Sequence, residues 1–267
     1  MVQPSRGPRL PCLPVAATLR VPMSFFLTFE GIEGSGKSTQ ARRLGAALVG
    51  EGFDVVLTRE PGGTDLTADI RRILSDPASR LDPTAELMLF LADRAQHVSS
   101  VIRPALEAGK VVLCDRYCDS TLAYQGYGRG HDLAWLEDLN RRCSHGVVPG
   151  LTLWIDCDIE VGLSRAKRRA GGPGDRFEIE PLAFHTKIRD GFAELASRHP
   201  TRIVRIDGNR AEEAVFADCL EAVRKKLATG SAPTKHETAL RTEATEQTGT
   251  SHGSASGETR PRAGAKA

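Results

Sequence analysis

Only two asparagines occur in the 267 residues, Asn140 and Asn209, and neither is followed by lysine. That excludes the Asn-Lys-x-Asp segment with which regulatory GTPases read guanine, and no Asp-x-x-Gly switch sequence is present either. No apolar run approaches the roughly 20 residues of a membrane-spanning helix, so a soluble chain without a membrane partner is expected. An excess of one charge is lacking as well. The formal net charge of +2 is too small for bulk attraction to nucleic acid, and no nucleic-acid partner is expected. The six cysteines are scattered, and Cys114 and Cys118 bracket Asp-Arg-Tyr instead of forming a Cys-x-x-Cys pair, so they read as reduced thiols of a cytoplasmic protein. There is no internal repeat.

What is present is enough apolar material, 40% of residues, for one full-sized core with little left for a second. Residues 1–22 carry Arg6, Arg9 and Arg20 and no acid, a loose match to an organelle transit peptide. Their prolines suit neither a helix nor a signal sequence, and Met23 stands directly before the first strand-like run. They read as a disordered extension or a misassigned start. Residues 229–267, rich in Ser, Thr, Gly and Ala, cannot offset the entropy of ordering and read as a disordered tail. Residues 23–228 are left as the folded domain.

Strand-like runs at 24–30, 54–58, 110–115, 151–158 and 202–207 alternate with segments of helical spacing at 37–51, 64–76, 83–109, 132–143, 159–170, 181–199 and 211–227. Asp82-Pro83 supplies a cap and first turn for the third of these helices. The alternation predicts an α/β fold of three layers, with a central five-stranded parallel sheet buried on both faces and ligands at the carboxyl ends of the strands.

Gly31-x4-Gly36-Lys37-Ser38 lies between the first strand and the first helix, the setting a phosphate-binding loop requires. The backbone from Gly31 through Ile32, Glu33, Gly34, Ser35 and Gly36 to Lys37, Ser38 and Thr39 would wrap the phosphates of ATP at a helix N-terminus. Lys37 adds a point charge, and the Ser38 hydroxyl offers a ligand for Mg²⁺. Asp115 ends the third strand beside that loop and is a second candidate Mg²⁺ contact, while Arg116 is a candidate bidentate phosphate clamp. Arg59, before the Pro61-Gly62-Gly63 turn, is a further anion binder. Phe90 and Arg94 are four residues apart on one helical face, where a ring and a guanidinium can stack on a base and bond its carbonyl edge. Each has a plainer reading when taken singly: a core phenylalanine, a solvated Asp-Arg pair, a Glu33 carboxylate turned to water.

The stretches FEGIEGSGKST, TREPGGT, LFLADRAQH, DRYCDSTLAYQGYGRG and DRFE, in that order, resemble the thymidylate kinase family over residues 24–227. The resemblance implies the P-loop NTPase fold, ATP with Mg²⁺ as donor and dTMP as acceptor. The products would be ADP and dTDP, on the de novo and salvage routes to dTTP, and the assembly a homodimer. It implies that Phe90 stacks on thymine, Arg94 reaches O4, Arg59 and Arg116 hold the dTMP phosphate, and Thr121 and Gln125 lie along the base. Tyr124 would fill the space beside C2′, and Glu33 would accept a hydrogen bond from the 3′-hydroxyl. Residues 164–178 correspond to the lid that closes over ATP. Gly34 stands where one subtype carries a phosphate-loop arginine, so a lid arginine, Arg168 or Arg169, is implied as catalytic beside Lys37 and Arg116.

The second pKa of a phosphate monoester is about 6, so the attacking oxygen of such an acceptor is largely ionised at neutral pH and needs no general base. Two rival readings stay open on the sequence. One is a nucleotide-binding protein without kinase activity. The other is a kinase for another nucleoside monophosphate, which would change the Phe90, Arg94 and Tyr124 set.

Overall fold

The strands β1 (Phe25–Glu30), β2 (Val55–Arg59), β3 (Val111–Asp115), β4 (Leu151–Asp156) and β5 (Ile203–Asp207) form one sheet in the order β2-β3-β1-β4-β5, and every neighbouring pair is parallel. The computed structural model describes residues 24–170 and 174–228. The expected extension at 1–22, the tail at 229–267 and the Gly171-Gly172-Pro173 part of the expected lid lie outside the described residues. Among the described residues, no helix is long and apolar enough to cross a membrane.

Side chains alternate across each strand, and that alternation sorts the layers. Phe25, Leu27 and Phe29 of β1, Val111 and Leu113 of β3, and Leu151, Leu153 and Ile155 of β4 face one way. They pack on Leu44 and Leu48 of α1 (Lys37–Gly50) and on Val215 and Val223 of α9 (Glu212–Ala228). On the opposite face, Trp154 meets α3 (Pro83–His97), α6 (Leu133–Cys143) and α8 (Leu182–Arg198) in a second core, and Phe26 and Val112 pack on Val98 and Ile102. This face departs from the expected continuous apolar surface. Thr28 Oγ1 and Thr152 Oγ1 lie 2.8 Å apart within it, and buried Glu30 accepts from Tyr117 N at 2.8 Å and Ser120 Oγ at 2.5 Å. Burial is tolerated because each group has a partner.

Two helical stretches differ from the expectation. The segment 83–109, read as one helix, is α3, a wider π-type turn over Val98–Ile102, and then α4 (Arg103–Glu107). Pro104 brings no N–H for the carbonyl four residues before it, which breaks the regular ladder. Residues 118–128, for which no element is expected above, form α5 (Cys118–Thr121) and a π-type turn over Leu122–Gly128. The helix at 83 starts as its sequence implies, with Asp82 Oδ1 accepting from Thr84 N at 2.8 Å. Two further helices, α2 (Asp65–Ser75) and α7 (Ile159–Ala170), flank the site described next. Strand register sets that site: Arg59 of β2 and Phe29 of β1 both pair with Asp115 of β3, so the segments after all three strands emerge at one level.

Candidate active site

The loop between β1 and α1 is wound around its own lysine. Lys37 Nζ donates to Gly31 O at 3.0 Å, Ile32 O at 2.7 Å and Ser35 Oγ at 3.3 Å. Burial, then the neighbouring Arg116, lowers its pKa to about 8, so the ammonium still persists at neutral pH. Gly34 has φ +66°, and a Cβ placed there would lie 1.9 Å from Gly162 O on α7. Helix α7 therefore rests directly on the phosphate loop, and no side chain fits at that point. Ser38, exposed at the start of α1, donates to Asp115 Oδ2. These two hard oxygen donors suit Mg²⁺, which takes one or two protein ligands and completes its shell with phosphate and water.

Arg116 follows β3 with φ +74°, a conformation rare for a residue with a side chain. Its Nη1 donates to Gly31 O at 3.0 Å and Ser120 Oγ at 3.1 Å, and its Nη2 to Glu33 Oε1 at 2.8 Å and Tyr124 OH at 3.0 Å. Tyr124 OH in turn donates to Glu33 Oε1 at 2.6 Å, and buried His185 Nδ1 lies 3.6 Å from Glu33 Oε2. Glu33 is thus turned inward, away from water. Burial alone would raise its carboxyl, but Arg116, His185, Lys37 and Tyr124 outweigh that and hold it at about 2.

Arg94 is fully buried. Its Nε donates to Glu60 Oε2 at 2.8 Å, and its Nη1 to Thr121 Oγ1 at 2.8 Å and Asn140 Oδ1 at 2.5 Å, which leaves Nη2 without a partner among the described residues. Glu60 is held from behind by His97 Nδ1 at 3.1 Å, and His97 Nε2 by Thr58 Oγ1 at 2.6 Å. Phe90 is half-buried and tilted against Phe177, ring centres 6.0 Å apart. Gln125 is buried with its amide on Glu86.

One cavity of about 370 Å³ brings these groups together. Its walls include Glu33, Lys37, Ser38, Asp115 and Arg116 at the phosphate side, and Arg59, Phe90, Arg94, Thr121, Tyr124 and Gln125 at the other. Gly34 and Thr39 line it too, whereas Gly31, Ile32, Ser35 and Gly36 are not among its lining residues. Arg168 and Arg169 are both exposed; Arg169 lines the cavity and pairs with Glu178 at 3.2 Å, whereas Arg168 stands outside its lining. Sequence reasoning missed Arg71, which also lines the cavity and donates to Pro61 O at 3.0 Å, and it missed Glu60, Phe177 and His185. Arg71 lies on an amphipathic helix with ordinary charged neighbours. Its proximity to Arg59 comes only from the turn that folds α2 back, and no spacing signals it.

The family model described as thymidylate kinase matches residues 29–219. Thymidylate kinase of Geotalea uraniireducens is 47% identical over 213 residues, which cover 78% of this chain and 100% of that protein. Thymidylate kinase of Syntrophotalea carbinolica is 53% identical over 192 residues, covering 70% of this chain and 89% of that one. A crystal structure of thymidylate kinase from Ehrlichia chaffeensis superposes with a TM-score of 0.62 at 37% identity, covering 76% of this chain and 99% of that chain.

Proposed function

The chain belongs to the thymidylate kinase family, and from that premise we propose that it transfers the γ-phosphoryl group of ATP to dTMP, releasing ADP and dTDP. The carrying observation is that one cavity holds a phosphate loop at one side and a base-sized slot of Phe90, Arg94, Thr121 and Gln125 at the other, with Arg116 between them. In this reading Phe90 stacks on thymine, and Arg94, already committed through Nε and Nη1, offers Nη2 to O4. Arg59 and Arg116 hold the acceptor phosphate, and the missed Arg71 adds charge from α2. Tyr124 leaves no room or partner for a 2′-hydroxyl, which penalises ribonucleotides. Glu33 accepts from the 3′-hydroxyl once Arg116 turns toward phosphate.

No residue acts as general base, because the acceptor phosphate is already largely ionised at neutral pH. Lys37 and Arg116 align the two phosphates and neutralise the charge developing on the transferred group. Mg²⁺ would be held by Ser38 and Asp115, and when bound it supplies further charge neutralisation on the phosphate oxygens. Residues 164–178 act as the lid, and Arg169 is favoured over Arg168 as its catalytic arginine by its position at the cavity. The homodimer and the cytoplasmic location belong to the same reading. Exposed Leu66 and Ile73 of α2 and Met88 of α3 support an apolar contact face for the former.

The test is an ADP-release assay with ATP, Mg²⁺ and a panel of dTMP, dUMP, UMP, CMP, AMP and thymidine. Turnover should be led by dTMP; leadership by any other acceptor, or ATP hydrolysis indifferent to the panel, would overturn the reading.

A further inference from the structure

Glu86 stands in the first turn of α3, 1% exposed, with no part in the chemistry described so far. Its Oε1 accepts from Gln125 Nε2 at 2.9 Å and Arg129 Nε at 3.3 Å; its Oε2 accepts from Arg129 Nη2 at 3.1 Å and Arg176 Nη1 at 2.7 Å. Burial opposes its charge, but Arg129, Gln125 and Arg176 outweigh that and keep the carboxyl below its ordinary range. An ionised carboxylate only accepts hydrogen bonds. The amide of Gln125 therefore has one tolerable orientation, NH₂ on Glu86 and carbonyl turned away, since the reverse would set oxygen against oxygen.

The carbonyl Oε1 of Gln125 has no partner among the described residues, and Gln125 lines the cavity together with Phe90, Arg94 and Thr121. The base slot thus presents a donor at Arg94 Nη2 and an acceptor at Gln125 Oε1. A 4-oxo-pyrimidine seated on Phe90 with O4 at Arg94 turns the neighbouring ring position, N3, along the same edge. We propose that Glu86 is a specificity-determining positioning residue: by fixing the amide of Gln125 with its carbonyl inward, it makes the slot require an N–H at N3 of the base. This inference rests on the acceptor site assigned under the proposed function. Cytosine fails twice in such a slot, at O4 and at N3, so it cannot separate the two readers. An analogue that keeps O4 but carries a bare N3 can.

The experiment compares dTMP with the 5′-monophosphate of 5-methyl-2′-deoxyisocytidine, which keeps O4, the methyl group and the sugar but has a lone pair at N3 and an amino group at C2. In the wild type, kcat/KM should favour dTMP by at least about 100-fold, because the mismatch leaves a buried acceptor facing a lone pair. Glu86→Gln allows the Gln125 amide to turn, so the ratio should shrink at least tenfold, with kcat/KM for the analogue itself rising. A merely structural role for Glu86 would lower both acceptors together. Gln125→Ala removes the reader, sets the contribution of C2, and should also bring the two acceptors close together. A ratio left intact in Glu86→Gln while dTMP still binds by calorimetry, or left intact in Gln125→Ala, overturns the inference. Should Glu86→Gln fail to fold, Gln125→Ala decides alone. A wild type that does not favour dTMP in the first place instead strikes the functional reading.

Discussion

At Glu33 a carboxylate sits inside a loop whose other groups attract phosphate, and the contacts around it resolve the conflict. Oε1 is shared by Arg116 and Tyr124, so the negative charge is met by two donors of the protein itself. With its pKa near 2, Glu33 stays ionised at every working pH. The acid limb of kcat/KM should therefore follow the acceptor phosphate near 6, not this residue. Tyr124 separates two roles that its position combines. Tyr124→Phe removes the 2.6 Å bond to Glu33 and the 3.0 Å bond from Arg116 but keeps the ring. Loss of roughly 1.4 kcal/mol, about tenfold in kcat/KM for dTMP, is expected, with the preference for deoxyribose unchanged. Tyr124→Ala should relax that preference as well. Steady-state kinetics with dTMP and its ribose counterpart check both; a relaxed preference in the Phe variant would mean that the hydroxyl, not the ring, reads the sugar.

At the level of elements, α7 and the phosphate loop meet closely at Gly34. The gap at Gly34 is closed by Gly162 O, with Ala166 N also only 3.0 Å from a Cβ built there. An arginine at position 34 of the loop is incompatible with α7 in this place. Gly34→Ala would force the loop or α7 to move and strain a φ of +66°. We expect a loss of roughly 2–3 kcal/mol, or about 4–12 °C in Tm, and a KM for ATP that rises more than the KM for dTMP. Thermal melts and initial-rate kinetics read both; unchanged ATP affinity would detach the joint from donor binding. The segment after residue 174 is fastened separately, by Arg176, whose Nε donates to Leu74 O at 3.0 Å and whose Nη1 meets Glu86.

For the whole molecule, buried carboxyls set how stability depends on pH. Burial, then Asp119, raises Glu30 from its ordinary value near 4.5 to about 8. The folded state therefore holds a proton that the unfolded state has released between these values, and stability falls as pH rises through that window. Glu33 has the opposite sign: its contribution is present above about 4.5 and is lost as pH falls toward 2. Glu30→Gln keeps an acceptor for Tyr117 N while removing the titration. Its Tm should exceed that of the wild type at pH 8 by a few degrees, and the difference should shrink by pH 5. Melts across pH 4–9 test this; a difference independent of pH would show that Glu30 is not the titrating group.

The sequence by itself determined the alternation of strands and helices, the phosphate loop between β1 and α1, and the residues Arg59, Phe90, Arg94, Asp115 and Arg116 that stand in recognisable local patterns. Periodicity and short motifs are properties of neighbouring residues, so they survive without coordinates. Only the tertiary structure decided which way Glu33 faces, that Arg71 joins Arg59, that Arg169 and not Arg168 reaches the cavity, and that Glu86 and Glu60 stand behind Gln125 and Arg94. Each of these depends on side chains from separate elements meeting in space. Partners such as Glu60 with Arg94 or Glu33 with Arg116 are 34 and 83 residues apart in the chain, a distance at which no spacing rule operates. The π-type turn over Val98–Ile102 was illegible for a related reason: packing against the sheet and the proline at 104 overrode a pattern that, read locally, continues as a regular helix.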